Sequence, residues 1–397
     1  MQKGGSVYLT VNAGSSSLKV AVFSEHSDTP IMSVSIEGIG TPEASLIPNG
    51  EYGSGQTVKA AIPHHKAASV AAFWWLNSRG IDSFSVRAVG HRVVHGGERY
   101  SESVRINDGV VTYLTAITSL APNHMPVALT CIAEFRNKYY DAAHIACFDT
   151  AFFHEVPNVA RTLALPRDIR DAGVRRYGFH GLSYEYLLQD FKRVEGEMAA
   201  FGRVIIAHLG SGASIAALKD GKPIDMSMGF TPASGIVMST RTGDIDPGVI
   251  DFLIRERSMT IDEVNELLYE KSGLLGLSET TADMHSLLEK QHTDPRAQLA
   301  IDIFCYTVKK HIGAYAAALG GVDSIIFSAG IGERSSEVRA RSLAGLEFMG
   351  VNVSTRKNEA NERLISAPHS RVGVHVIPTH EDTVLVQKTR QHYKEQL

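Results

Sequence analysis

VYLTVNAGSSSLKVAVF, residues 7–23, sets a small-residue turn between two apolar runs. Val7, Leu9 and Val11 alternate with polar or aromatic neighbours before the turn, and Leu18, Val20 and Val22 alternate after it. Period-two alternation on both sides predicts a β-hairpin, not the strand-to-helix unit that a P-loop or a G-x-G-x-x-G turn requires. Backbone N–H groups can crowd an anion only where side chains are small, so this turn is a candidate phosphate loop. An ordinary Ser-rich surface hairpin fits the segment equally well when it is taken alone.

Further along, the design returns. Residues 203–224, RVIIAHLGSGASIAALKDGKPI, repeat the apolar strand, the Gly/Ser turn and the alternating strand, then add a KDGK turn and a third strand. Two such hairpins in the two halves of the chain suit a phosphate chain gripped from two sides. Residues 323–343, DSIIFSAGIGERSSEVRARSL, differ: a strand runs through Ser328 into Ala329-Gly330-Ile331-Gly332 and then a helical pattern of Val338, Leu343 and charged residues. That strand–glycine turn–helix is suited to backing a nucleotide's sugar or base. Thr260 and Glu263 form a capping box before Ile261, Val264, Leu267 and Leu268, and residues 299–319 are apolar at helical spacing up to Gly320-Gly321. Strands interleaved with helices predict an α/β protein.

Composition narrows the partners. The 397 residues suffice for about two domains, with the change expected just after HIACFDTAFFHEVP. A net charge of −4 offers no basic footprint for nucleic acid and no polybasic membrane patch. Cys131, Cys147 and Cys305 lack C-x-x-C spacing and fit a reducing compartment. No apolar run could span a bilayer, and MQKGGSVYLT does not read as a signal peptide, so a cytoplasmic protein is expected.

Charged residues stand where apolar strands end: Asp149 after HIACF, His208 after RVIIA, and Arg92 in AVGHRVVHGGERY. Each has a plainer reading. Asp149 could cap a helix, His180 could be a buried hydrogen-bonded histidine, and Arg241 could pair with Asp244 or Asp246. His91 and His95 are four apart, but Val93 and Val94 between them argue for a strand over a helical zinc pair. Together, two arginines, a histidine, an aspartate and glycine turns suit phosphoryl transfer to an anion, whose transition-state charge must be neutralised in place.

VNAGSSSLK, GHRVVHGG, CFDTAFF, RRYGFHG, AHLGSGAS, TRTGDIDPG, SAGIGE and VIPTHED follow one another from about Val7 to Thr383. In order and spacing the set resembles the acetate kinase family, the short-chain carboxylate kinases. The resemblance implies an α/β fold of two ribonuclease-H-like, actin-like ATPase domains around an interdomain cleft, usually as a homodimer. Residues 1–150 with a returning segment 383–397 would form the first domain, and 151–382 the nucleotide-binding, dimer-forming second. It implies ATP and Mg²⁺ (Mn²⁺ as a substitute). By motif position, Asn12 and Glu381 would serve the metal, and Lys19 the nucleotide phosphates. Arg92 would bind the acceptor carboxylate, and Asp149 would position metal or substrate. His180 and Arg241 would stabilise the transition state. His208, Leu209, Gly210, Ser211 and Gly212 would line the phosphates. Asp283, Met284, His285, Gly330, Ile331, Gly332, Glu333 and Arg334 would line the nucleoside. Val94, Asn123, His124, Phe179 and Pro232 would wall the acyl pocket. The reaction implied is direct in-line transfer from ATP to acetate, with a phosphorylated Asp149 or Glu381 as the covalent alternative.

Some positions depart from the family pattern. Asn123 stands where an apolar residue is common, pointing to a more polar acid or to a side chain turned out of the pocket. Ser211 replaces the usual Asn, His285 an Arg, and THED the usual TNEE, though Glu381 is kept. A propionate, butyrate or hydroxy-acid kinase, or a pyrophosphate-dependent enzyme, is the neighbouring reading. A chaperone- or actin-like ATP-driven binding protein is the reading of another class.

Overall fold

In the computed structural model, which describes residues 6–50 and 55–395, the alternation around the first turn becomes a hairpin. Strands β1 (Val7–Ala13) and β2 (Ser17–Phe23) pair antiparallel with Asn12 opposite Lys19. A Cβ on Gly14 would sit 2.7 Å from Ser17 Oγ, which explains glycine at that tight corner. The residues read above as no leader begin outside the described range.

The chain divides into two units, one running to Phe152 and resuming at His380, the other Phe153–Thr379. In the first, β3 (Met32–Glu37), β4 (Ser45–Asn49), β5 (Val58–Lys59), β6 (Val86–Val93), β7 (Val104–Arg105) and β8 (Ala143–Phe148) complete a sheet of order β5-β4-β3-β2-β1-β6-β8-β7. β1, β6 and β8 run parallel, and all six residues of β8 are buried, as a parallel strand covered on both faces requires. Trp75 from helix His65–Asn77 and Phe135 from helix Met125–Lys138 join the β1 and β2 side chains in one core. Each large side chain there contributes roughly 1.5–3 kcal/mol by burial.

The second unit carries β9 (Arg203–Leu209), β10 (Ala213–Lys219), β11 (Lys222–Met226), β12 (Ser324–Ser328) and β13 (Gly373–Val376) in the order β11-β10-β9-β12-β13. The KDGK turn holds Asp220 at φ 53° and Gly221 at φ 72°, the left-handed pair that a two-residue hairpin favours. The capping box of Thr260 and Glu263 forms, and helix Pro295–Leu319 stops on Gly320 in the left-handed region. In each unit an antiparallel meander, β1–β5 in the first and β9–β11 in the second, is extended from its first strand by two parallel strands. The echo between the two hairpins therefore extends to whole sheets.

One boundary needs correction. Residues 380–382, expected in the second domain, belong to the first unit. Helix Glu381–Lys394 starts there and packs on β1, β6 and β8, and Asp382 accepts a hydrogen bond from Thr10 Oγ1 of β1 at 3.1 Å. Residues 151 and 152 also fall in the first unit.

Candidate active site

Parallel neighbours end on one edge of a sheet, so β1, β6 and β8 bring Asn12, Arg92 and Asp149 together in the first unit. Arg92 donates from Nε to Asp149 Oδ1 at 2.9 Å and from Nη2 to Asp149 Oδ2 at 2.6 Å. Its Nη1 donates to Asn12 Oδ1 at 3.0 Å, and Asn12 Nδ2 donates to Glu381 Oε2 at 3.1 Å. Glu381 Oε2 is itself 4.0 Å from Arg92 Nε. Asp149 is 1% exposed, so this fork is what makes its charge tolerable. Burial alone would lower the Arg92 pKa, but Asp149 and Glu381 hold it above the ordinary value. Burial, reinforced by Asp149 and Asp382, pushes the Glu381 carboxyl up against the opposing pull of Arg92 and Asn12. Lys19 is half-exposed and paired with Asp382.

Behind Arg92 lies a buried histidine pair. His144 Nε2 faces the Tyr139 carbonyl at 3.0 Å and must carry the hydrogen, so His144 Nδ1 accepts from His91 Nε2 at 3.0 Å. That leaves His91 Nδ1 bare and buried, without a partner among the described residues. Burial depresses both pKa values, His144 to about 4 and His91 well below 6.5. Neutral histidines are favoured by the fold, so their contribution is complete above the unfolded value of 6.5 and is lost as pH falls toward 4. Melting temperature is therefore expected to fall across that window, and a His91→Leu/His144→Leu double variant to show a flatter profile. An unchanged slope in the double variant would remove the pair from the acid response.

The second unit gathers another set. His180 opens helix Gly181–Glu195 at φ 60°, a conformation a non-glycine residue holds only under constraint. Its Nδ1 bonds Ser214 Oγ at 2.8 Å, and its ring stacks on His208 at 4.4 Å between centroids. His208 Nδ1 bonds Ser183 Oγ at 2.8 Å, and Ser183 Oγ bonds Thr379 Oγ1 at 2.8 Å. A Cβ built on Gly212 would lie 3.3 Å from His180 Nε2 and 3.7 Å from Arg241 Nη1, so both side chains close on the glycine turn. A Cβ on Gly210 would meet Ala329 Cβ at 3.5 Å, which puts the turn after β9 against the turn after β12. Arg241 Nη1 donates to Pro232 O at 3.0 Å. Asp244 accepts from Gly235 N and Asp246 caps helix Pro247–Glu256.

A sequence profile described as the Acetokinase family matches residues 7–387. The chain belongs to that family. An acetate kinase of Geobacillus kaustophilus is 44% identical over 388 residues, covering 96% of this chain and 97% of its own. A solved acetate kinase of Porphyromonas gingivalis is 35% identical with a TM-score of 0.86, covering 97% of this chain and 99% of that one. A solved propionate kinase of Francisella tularensis is 31% identical with a TM-score of 0.91 at the same coverage. The resemblance read from the motifs is borne out, and the two-sheet α/β fold is that of the solved acetate kinases. As an acetokinase the protein is an ATP-using phosphotransferase. Among the described residues no helix is long and apolar enough to cross a membrane.

The remaining family positions divide between the units. Asn123 is exposed and His124 precedes helix Met125–Lys138, while Val94 is 6% exposed, all in the first unit. Phe179, 2% exposed, and Pro232 lie in the second. Asp283 caps helix Met284–Lys290 by accepting from Ser286 N at 2.9 Å, Met284 is buried, and His285 is exposed and 3.7 Å from Glu289. Residues 330–334 form the short helix after β12, where Glu333 Oε1 accepts from Thr379 N at 3.1 Å.

Gly273 was not among the sequence candidates. It sits at φ 61°, and a Cβ there would fall 2.8 Å from Arg241 O and 2.9 Å from Arg241 N. The neighbouring Leu274 N and Leu275 N bond Met238 O and Ser239 O at 2.9 and 3.0 Å, lacing the two segments together. Gly273→Ala is expected to push the Arg241 backbone aside and lower kcat by about tenfold with a loss of melting temperature, since αL strain alone costs ~1–2 kcal/mol. Steady-state kinetics with thermal melting checks it. Full activity would show that Arg241 does not depend on this contact.

Proposed function

We propose that this acetokinase transfers the γ-phosphoryl group of ATP reversibly to a short-chain carboxylate, acetate foremost, giving an acyl phosphate and ADP. The observation that carries the reading is Arg92. Asp149 takes its Nε and Nη2 and Asn12 one hydrogen of Nη1, and among the described residues one hydrogen on each terminal nitrogen has no partner. Those two hydrogens are what Arg92 can offer an acceptor carboxylate. The acceptor is already ionised at neutral pH, so no strong general base is required. His180 and Arg241 stand against Gly212, where N–H groups can cradle phosphate oxygens and the two side chains can neutralise charge as it spreads. Both oxygens of Asp149 already accept from Arg92, which favours direct in-line transfer over a phosphorylated Asp149.

Asn12, Asp149 and Glu381 all offer oxygen atoms, and burial, with Asp149 and Asp382 adding to it, already raises the Glu381 pKa. This set fits Mg²⁺, which prefers a carboxylate or two with waters and substrate phosphates to an all-protein cage. Among the described residues no group of three or more His, Cys, Asp or Glu could form such a cage. Bound there, Mg²⁺ would neutralise charge on the phosphate chain.

An ATP- and Mg²⁺-dependent hydroxamate assay with acetate, propionate, butyrate, glycolate and lactate tests the reading. Highest kcat/KM with acetate supports it. A longer or hydroxylated acid in first place keeps the mechanism and renames the substrate, an outcome for which the likeness to a solved propionate kinase and Asn123 leave room. No acyl phosphate from any acid would overturn it for ATP and move the test to pyrophosphate.

A homodimer and a cytoplasmic location belong to the same reading. Helix Pro247–Glu256 buries none of its residues, and Val249 and Phe252 on one face are 39% and 48% exposed. Such a stripe suits a second copy. Phe252→Asp is expected to shift the protein toward monomer in light scattering, and an unchanged mass would exclude this face. The three free cysteines are buried thiols, as suits a reducing compartment.

A further inference from the structure

We infer that Arg339 is a positioning residue for nucleotide binding, a buried clamp that fixes the turn Ala329–Arg334. This rests on the reading of that turn as the nucleoside-binding segment. Arg339 is 0% exposed, and all five of its N–H groups have acceptors. Nη1 donates to Gly332 O at 2.8 Å and Glu333 O at 3.0 Å. Nε and Nη2 donate to Asn358 Oδ1 and Asn358 O, both at 2.8 Å, and Nη2 also to Asn361 Oδ1 at 2.6 Å.

None of these acceptors is a carboxylate. A buried cation without a countercharge is costly, and burial pushes this guanidinium down to about 10. Such an arrangement makes sense only if it holds something in place. Two of the five bonds end on the carbonyls that close the turn after β12, where the helix dipole favours positive charge. The turn also needs holding. Ala329 enters it at φ 63°, a left-handed conformation that persists in a non-glycine residue only when its surroundings over-determine it. Asn358, on the far side of the clamp, is anchored in turn by Nδ2 donating to Ser336 O at 2.8 Å. Arg339 thus ties the turn to residues 358 and 361, leaving the turn's outer side open. A Cβ on Gly330 meets no heavy atom within 4 Å.

The test is ADP affinity with Mg²⁺ by calorimetry, alongside steady-state kinetics and melting, on the full-length protein. Arg339→Lys supplies a point charge that cannot span five acceptors. It is expected to weaken ADP binding and raise the KM for ATP by about tenfold, with the acceptor KM unchanged and kcat within about threefold. Asn361→Gly removes one acceptor and tolerates the φ of 51°, so it is expected to fold and to shift ADP affinity in the same direction by about two- to fivefold. Gly330→Val tests the underlying reading, because its Cβ enters open space and the added bulk should obstruct a nucleoside. Loss of affinity in Gly330→Val with unchanged affinity in the folded Arg339 and Asn361 variants overturns the clamp and leaves the nucleoside reading standing. Unchanged affinity in Gly330→Val overturns both. Equal losses in every kinetic constant with a lowered melting temperature would make Arg339 merely structural and also overturn the inference. Should Arg339→Lys not fold, Asn361→Gly decides alone.

Discussion

Arg92→Ala is expected to lower kcat/KM for the acceptor acid by about three orders of magnitude. Loss of an oriented cationic donor in a water-poor site costs ~3–4 kcal/mol of transition-state stabilisation, and each 1.4 kcal/mol is about tenfold. The same change should destabilise the first unit. Asp149, 1% exposed, loses its three hydrogen bonds from Arg92, and breaking a buried pair from one side costs ~3–5 kcal/mol. The pH dependence of that loss has a definite sign. Arg92 pulls the Glu381 pKa down against burial, so without it the carboxyl rises further. A raised carboxylate favours the protonated fold, so the deficit should be small at acid pH and grow as pH rises. Arg92→Lys should recover much of the stability but little activity, because a point charge cannot serve Asp149, Asn12 and a substrate carboxylate together. Kinetics with each acid and melting curves at several pH values test both halves. A melting deficit that does not vary with pH would mean Glu381 is not held by Arg92.

Arg241→Ala should look different. It is expected to lower kcat by about 10³-fold, the scale on which an arginine aimed at a transferring phosphoryl group acts, while substrate KM values stay within a few-fold. Melting curves recorded beside the kinetics show whether loss of the Arg241 Nη1 bond to the Pro232 carbonyl also costs stability. A rise in KM with kcat intact would assign Arg241 to ground-state binding and leave His180 as the transition-state group of that unit.

Much of this was legible beforehand. Alternation around Gly14 is local information, and so are the capping box at Thr260, the stop at Gly320 and the left-handed turn at Asp220-Gly221. Strand ends were legible for the same reason. A buried strand reads as an apolar run, and the polar residue that closes it marks the edge where Arg92, Asp149 and His208 stand. The motif order then led to the family, because spacing over the whole chain is itself sequence information.

What stayed hidden depends on contacts between distant segments. Arg339 reads as one more charge in a surface helix, since RSSEVRARSL alternates charged and small residues. Only the packing of that helix turns Arg339 inward with Val338, Ser342 and Leu343. Gly273 reads as an ordinary helix-boundary glycine until the Arg241 backbone is found against it. The fork of Arg92 on Asp149 spans 57 residues and the Asn12–Glu381 bond spans 369. The sequence by itself determined the secondary structure, the family and the residue types at the strand ends, because periodicity, caps and motif order are properties of neighbours along the chain. Tertiary structure alone decided which charges neutralise one another, which glycine makes room for the Arg241 backbone and which arginines are buried. Those outcomes follow from desolvation and close packing, and neither acts until distant segments meet.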